Sequence, residues 1–240
     1  MTYEKRIVAF LDILGFSNYI EKETVEKNNQ EFQIVRYTNL KSLLEDDFCI
    51  SKSQTPKQIQ KKNRCFNNTQ VTMFSDSVVI SKLFEENNLE NAIDCLLSDL
   101  YNVLYNGYYY KFVFRGGITC GDMIHSDEYM FGPAFNKAYH LEQKAIYPRI
   151  IIDDDFVKII NEKIKNIDVK KYINEDFDGC YYIEPFLGLD KRFKTEQSKK
   201  KIIQSAKNLV EQGLKSNSSD VANKYIWLNK KICHILKTKE

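Results

Sequence analysis

Two aspartates far apart in the chain stand out by their surroundings. Asp12 closes the apolar run Ile7-Val8-Ala9-Phe10-Leu11, and Asp76 lies in Ser75-Asp76-Ser77 between the runs Val71-Thr72-Met73-Phe74 and Val78-Val79-Ile80. The first run is too short for a helix and reads as a strand buried on both faces with a carboxylate at its end. The second pair reads as a hairpin with Asp76 at its tip. Brought to one sheet edge, the two carboxylates repel unless they share a cation. Hard divalent ions held by carboxylates, a backbone carbonyl and phosphate oxygens are the arrangement that supports displacement at phosphorus. Leu14-Gly15-Phe16-Ser17 then turns into a helix, whose free N-terminal amides and dipole favour a polyphosphate. Taken alone, each aspartate reads equally well as a turn residue at the end of a strand.

The elements that must position these residues follow from periodicity and turn chemistry. Helical spacing is expected from about Phe16 to Leu44 with a break near Lys27-Asn28-Asn29, then a polar, lysine-rich loop from Ser51 to Asn68. Apolar residues at helical spacing predict a helix from Leu89 to Tyr105 that packs on the sheet. Lys111 to Thr119 is strand-like, and its paired glycines, Gly116 and Gly117, let another backbone or a ligand come close. Pro133 suits the first turn of a helix running from about Ala134 to Ala145. A strand at 148–152 and a helix at 156–165 follow, with Asp153-Asp154-Asp155 at the helix start. Residues 167–193 read as irregular, and 195–236 as helical with an interruption at 216–219. The order is that of an α+β, ferredoxin-like βαββαβ core with a C-terminal helical extension. We divide it as residues 1–153 for the core and 154–240 for an extension packed on the same domain.

Composition narrows the classes. The 240 residues suit one well-buried domain, and a formal net charge of +2 makes no demand for nucleic acid as a partner. No apolar run approaches the roughly 20 residues that cross a bilayer, so we expect a cytoplasmic protein without a membrane partner. Cys49, Cys65, Cys95, Cys120, Cys180 and Cys233 are scattered, with no CxxC pair, and read as reduced, mostly buried thiols.

Phe10-Leu11-Asp12-Ile13-Leu14-Gly15-Phe16-Ser17 closely resembles the first metal motif of class III adenylate and guanylate cyclases. Phe74-Ser75-Asp76-Ser77-Val78-Val79 resembles the second, with serine where glycine is usual. Arg115-Gly116-Gly117-Ile118-Thr119-Cys120-Gly121 is similar to the family's arginine-containing strand. Gly132-Pro133-Ala134-Phe135-Asn136-Lys137-Ala138 looks like the helix start that carries the catalytic asparagine. The four occur in the family's order. The resemblance implies that Asp12, Asp76 and the Ile13 carbonyl hold two Mn²⁺ or Mg²⁺ ions per site. It implies that Arg115 meets the β/γ-phosphates, and that Asn136 orients the ribose from the other protomer of a homodimer. Leu14, Gly15 and Phe16 then face the nucleotide.

The departures point to a pyrimidine. Four residues after Asn136 the family has a transition-state arginine where this chain has His140, which cannot reproduce a permanent planar guanidinium. Lys137, Lys144 or Arg149 could substitute. The positions that read a purine edge align with Thr72 and Tyr129. Neither purine-reading pair is present, and the bulk of Tyr129 favours a smaller base. The wording around 132–142 and 224–228 resembles the pyrimidine cyclases of Pycsar anti-phage systems, which implies UTP or CTP as substrate and an antiviral, abortive-infection role. Thr72 offers a hydroxyl that donates or accepts, so at this level uracil and cytosine stay open. The rival readings are a catalytically silent cyclase-like module that binds nucleotide, and a palm-type polymerase, for which no template-binding basic tract occurs.

Overall fold

The structure, a computed structural model, describes residues 2–16, 69–164, 172–186 and 195–237. Its centre is β1 (Glu4–Ile13), flanked by two antiparallel neighbours. One is β3 (Ser77–Leu83), which forms a hairpin with β2 (Thr69–Phe74). The other is β4 (Phe114–His125), which folds back onto the two-residue β5 (Met130–Phe131). The sheet continues through β6 (Ile150–Ile152), parallel to β4, to β8 (Tyr181–Ile183) and β7 (Ile173–Glu175). The order β2-β3-β1-β4 is the ferredoxin-like one, and the sheet as a whole runs β2-β3-β1-β4-β6-β8-β7.

The apolar run of β1 is buried on both faces, as its sequence predicts. Ile7, Ala9, Leu11 and Ile13 join the cluster under α1 (Leu89–Tyr109) and α3 (Asp154–Lys163). Val8 and Phe10 point the other way, against Val79, Met123 and the Ala134–Ala138 stripe of α2 (Pro133–Lys144). Each fully buried Val, Ile or Leu stabilises the fold by ~1.5–3 kcal/mol. Small residues bring α2 close to the sheet. A Cβ on Gly117 would stand 2.3 Å from the Leu141 Cβ and 2.7 Å from the Ala138 carbonyl, and one on Gly116 2.6 Å from the Phe10 carbonyl, so the expectation of close backbone approach at the paired glycines holds, with α2 as the partner of Gly117 and β1 that of Gly116.

Two more helices, α4 (Glu196–Gly213) and α5 (Ser219–Lys237), pack over β6 and β8. The second of them, α5, is pinned through one carboxylate. Asp176 accepts from Arg149 Nη1 at 2.6 Å, Trp227 Nε1 at 2.7 Å and Lys231 Nζ at 2.9 Å. Asp178 takes the second arm of the Arg149 guanidinium.

Several expectations need adjustment. Strands β7 and β8 lie within a segment that read as irregular. Each is three residues long, and β8 is held by pairing to β6 and by burial of Tyr182 and Ile183 rather than by any alternating pattern. Helix α1 runs to Tyr109 rather than Tyr105. Cys95 is disulfide-bonded, whereas Cys120, Cys180 and Cys233 are free. Cys120 and Cys180 are half-buried and Cys233 is exposed, so the expectation of mostly buried thiols fails for the free ones; scattered spacing carries no information on distances the fold sets. The expected helix beyond Phe16 and the loop at 51–68 lie outside the described residues.

Candidate active site

Asp12 is one residue from the end of β1, directly opposite Ser77 of β3 and Arg115 of β4. Opposed residues of antiparallel strands share a face, so these side chains lie on the side covered by α2. Ser75, with φ of +53°, turns the β2–β3 hairpin, and the Asp76 carbonyl accepts from the Ile13 amide at 2.9 Å. That bond fixes the hairpin tip beside the end of β1. Burial lifts the Asp12 carboxyl above its ordinary value, Arg115 pulls it back, and the nearby charge of Asp76 adds to the rise. Hairpin and strand thus bring together the two aspartates that the sequence singled out.

Arg115 Nη2 stands 3.5 Å from Asp12 Oδ2 and is also paired with Glu142. Glu142 is buried, on the same α2 stripe as Ala134 and Ala138, one and two helical turns on. Burial raises its carboxyl, opposed by Arg115. Sequence reading missed this residue, although the i, i+4, i+8 spacing from Ala134 predicts that it faces the sheet. Lys224, on α5, adds a positive influence on both Asp12 and Glu142.

After Ile13 the chain turns at Leu14-Gly15. Gly15 has φ of +78°, a conformation that glycine adopts without strain, and Leu14 N–H bonds the Val113 carbonyl at 2.8 Å. Gly15 is exposed while Leu14 and Phe16 are half-buried. The oxygen donors Asp12, Asp76 and the Ile13 carbonyl suit hard divalent cations, and the Asp76 influence on Asp12 is the repulsion such an ion relieves. These residues therefore fit a magnesium or manganese site completed by oxygens of a bound ligand. Among the described residues no group of three or more His, Cys, Asp or Glu side chains forms a metal site by itself.

Asn136 and His140 are brought to a different place. Both are exposed on α2, on the side opposite the buried Ala134–Ala138–Glu142 stripe, so they face away from the Asp12 of their own chain. The proposed substitutes for the missing arginine are placed as follows. Lys137 is paired with Asp153 at 2.6 Å and Asp155 at 3.2 Å. Arg149 is fully buried in its two ion pairs and cannot reach a ligand. Lys144 is exposed in the last turn of α2.

Thr72 is half-buried on β2, and its hydroxyl lies 2.8 Å from His125 Nε2. His125 Nδ1 is 2.7 Å from Ser81 Oγ, which accepts from Arg6 Nη1 at 3.0 Å. His125 is the second residue that sequence reading missed. It closes β4, outside any motif, and only strand pairing carries it to Thr72. Burial, reinforced by the Arg6 charge, lowers the His125 imidazole to about 4. Tyr129 lies in the β4–β5 turn, its backbone bonded to Ser126, and about half of it is exposed. It shares no hydrogen bond or ring contact with Thr72 among the described residues.

The chain is similar to the catalytic core of a rhodopsin-guanylyl cyclase with converted specificity, solved with ATPαS, at 13% identity and a TM-score of 0.50; the match covers 76% of this chain and 96% of that one. It is also similar to the adenylyl cyclase CyaB from P. aeruginosa, at 16% identity and a TM-score of 0.46, over 75% of this chain and 94% of that one. The fold is that of a class III cyclase core. No family model and no curated protein matches the chain. None of the described helices is long and apolar enough to cross a membrane.

Proposed function

We propose that this chain is a pyrimidine nucleotide cyclase that converts UTP to cyclic UMP and pyrophosphate, with CTP and cyclic CMP as the alternative pair. The observation that carries the reading is the convergence of Asp12 and Asp76 at one end of the central strands, where the Asp76 charge is felt at Asp12 beside Arg115. The cyclase-like fold supports it. The ribose 3′-oxygen attacks the α-phosphorus, the bond from that phosphorus to the bridging oxygen breaks, pyrophosphate leaves, and the hydroxyl proton passes to solvent. Asp12, Asp76 and the Ile13 carbonyl would hold two Mn²⁺ or Mg²⁺ ions, which when bound would supply acidity at the 3′-hydroxyl and charge neutralisation on the triphosphate. Arg115, which Glu142 orients, would meet the phosphates with its guanidinium.

Asn136 and His140 lie on the outer face of α2, which supports a homodimer in which they complete the partner's site. Exposed aromatics near that face, Phe74, Phe131 and Tyr139, offer apolar area for such an interface. The likeness to Pycsar cyclases supports an anti-phage role for the cyclic product. The second reading, a silent nucleotide-binding module, draws on the same arrangement: Arg115 already has two carboxylate partners, and histidine stands where an arginine is usual. Incubating the protein with each of the four ribonucleoside triphosphates and Mn²⁺, with products identified by mass, decides between them. Cyclic UMP or cyclic CMP supports the proposal. Nucleotide binding without any product establishes the silent module.

A further inference from the structure

We propose that Arg6, Ser81 and His125 form a relay that fixes the Thr72 hydroxyl as a hydrogen-bond donor, selecting an oxo pyrimidine edge, uracil, over an amino edge, cytosine. The base-selection half rests on the cyclase reading above; the polarity of the relay does not.

The direction follows from counting protons. Arg6 is buried and its guanidinium only donates, so Ser81 Oγ accepts from Nη1 at 3.0 Å. Ser81 is fully buried and carries one proton of its own. Its remaining partner among the described residues is His125 Nδ1, at 2.7 Å. If Nδ1 carried the proton instead, the Ser81 hydroxyl hydrogen would be buried without an acceptor, which is strongly disfavoured. Ser81 therefore donates to an unprotonated Nδ1. Burial and the Arg6 charge keep the ring neutral, so its proton sits on Nε2 and is donated to Thr72 Oγ1 at 2.8 Å. The Thr72 hydroxyl hydrogen is then left for whatever lies beside this half-buried residue. The O4 atom of uracil accepts it, and the N4 amino group of cytosine presents a second donor. A hydroxyl that by residue type alone could donate or accept is given one sense by three residues behind it.

Arg6, Ser81 and His125 touch no base in this arrangement; they are positioning residues acting through Thr72. Guanine shares the oxo edge, so its exclusion falls to the size of the pocket rather than to the relay.

The test has two arms. With three histidines in the chain, ¹⁵N-histidine labelling and comparison with His125→Gln isolate the His125 resonances. At pH 7 we expect a neutral ring protonated at Nε2. A ring protonated at Nδ1, or at both nitrogens, overturns the relay. In the second arm, kcat/KM is measured for UTP and CTP with Mn²⁺. A site built around a hydrogen bond rejects the mispaired ligand by roughly ten-fold or more, and UTP should lead by that factor. Thr72→Val should lower the UTP value by about ten-fold and the CTP value far less, while Thr72→Ser retains the preference. Preference for CTP in the unmutated protein, or equal losses with both substrates in Thr72→Val, overturns the selection. Absence of product from every triphosphate refutes the cyclase reading and the base selection with it, and the tautomer of His125 still decides the relay.

Discussion

Replacing Asp176 by Ala takes the acceptor from Trp227 Nε1 and Lys231 Nζ and leaves Arg149 Nη1 with Asp178 alone. The Arg149 side chain is fully buried and that of Asp176 is 3% exposed, whereas Asp178, its other partner, is 30% exposed. Breaking a buried ion pair by removing one member costs about 3–5 kcal/mol, here through the Lys231 ammonium left without its carboxylate and the Arg149 guanidinium left with Asp178 alone. At roughly 2–4 °C per kcal/mol for a chain of this size, the melting temperature should fall by about 6–20 °C. Asp178→Asn, at the more exposed partner, should cost less than half of that. Circular dichroism melts of both variants beside the unmutated protein give the comparison. The pH dependence checks the same bond network. Burial raises the Asp176 carboxyl, but the hydrogen bonds from Lys231, Trp227 and the Phe177 amide outweigh it and hold the folded-state pKa below the ordinary 3.8. A lowered folded-state pKa means stability that is fully present above the unfolded value and lost as pH falls through the folded one. The acid-side decline in melting temperature should therefore be shallower in Asp176→Asn than in the unmutated protein. A loss under 2–3 °C for Asp176→Ala, well short of the range above, refutes the assignment of Asp176 as the anchor of α5.

Asp12→Ala and Asp76→Ala should each abolish cyclic product while leaving the melting temperature unchanged or raised, since each relieves carboxylate repulsion; near-normal turnover in either variant rules out the two-metal assignment. Mixing Asp76→Ala with Asn136→Ala protomers should restore about a quarter of the activity, because half the dimers that form carry one intact site; no recovery in a confirmed mixed dimer contradicts sites completed in trans. Glu142→Ala should leave Arg115 to Asp12 alone and raise the Mn²⁺ concentration for half-maximal rate by roughly ten-fold, the worth of one charge-assisted hydrogen bond; an unchanged metal requirement contradicts the view that Glu142 shares Arg115 with Asp12.

The central sheet was legible because its signals are local. The apolar run before Asp12 could only be a strand buried on both sides, and β-branched runs around Ser75-Asp76-Ser77 could only be a tight hairpin. What the sequence left out depends on partners supplied by the fold. Strands β7 and β8 have no period of their own and exist through pairing to β6. Glu142 was readable in principle, two turns along the stripe from Ala134, but its meeting with Arg115 depends on the depth to which Gly117 admits α2. His125 was not readable at all. It is more than fifty residues from Thr72, and the contact requires four strands in register.

The anchor on α5 and the cyclase-like face share a single residue. Arg149, whose guanidinium meets Asp176 and Asp178, gives its backbone carbonyl to the amide of Gly116 at 3.0 Å, next to Arg115. The same helix carries Lys224, whose charge is felt at Asp12 and Glu142. The C-terminal helices are therefore not a detachable appendage. A shortened protein ending after β8 would lose Trp227 and Lys231 from the anchor and Lys224 from the acidic end of the sheet, so its remaining strands would keep their order without the charges that now surround Asp12 and Glu142. Anything that pries α5 from Tyr182 and Asp176 would act on the same arginine, giving the tail a direct mechanical hold on the strand that carries Arg115.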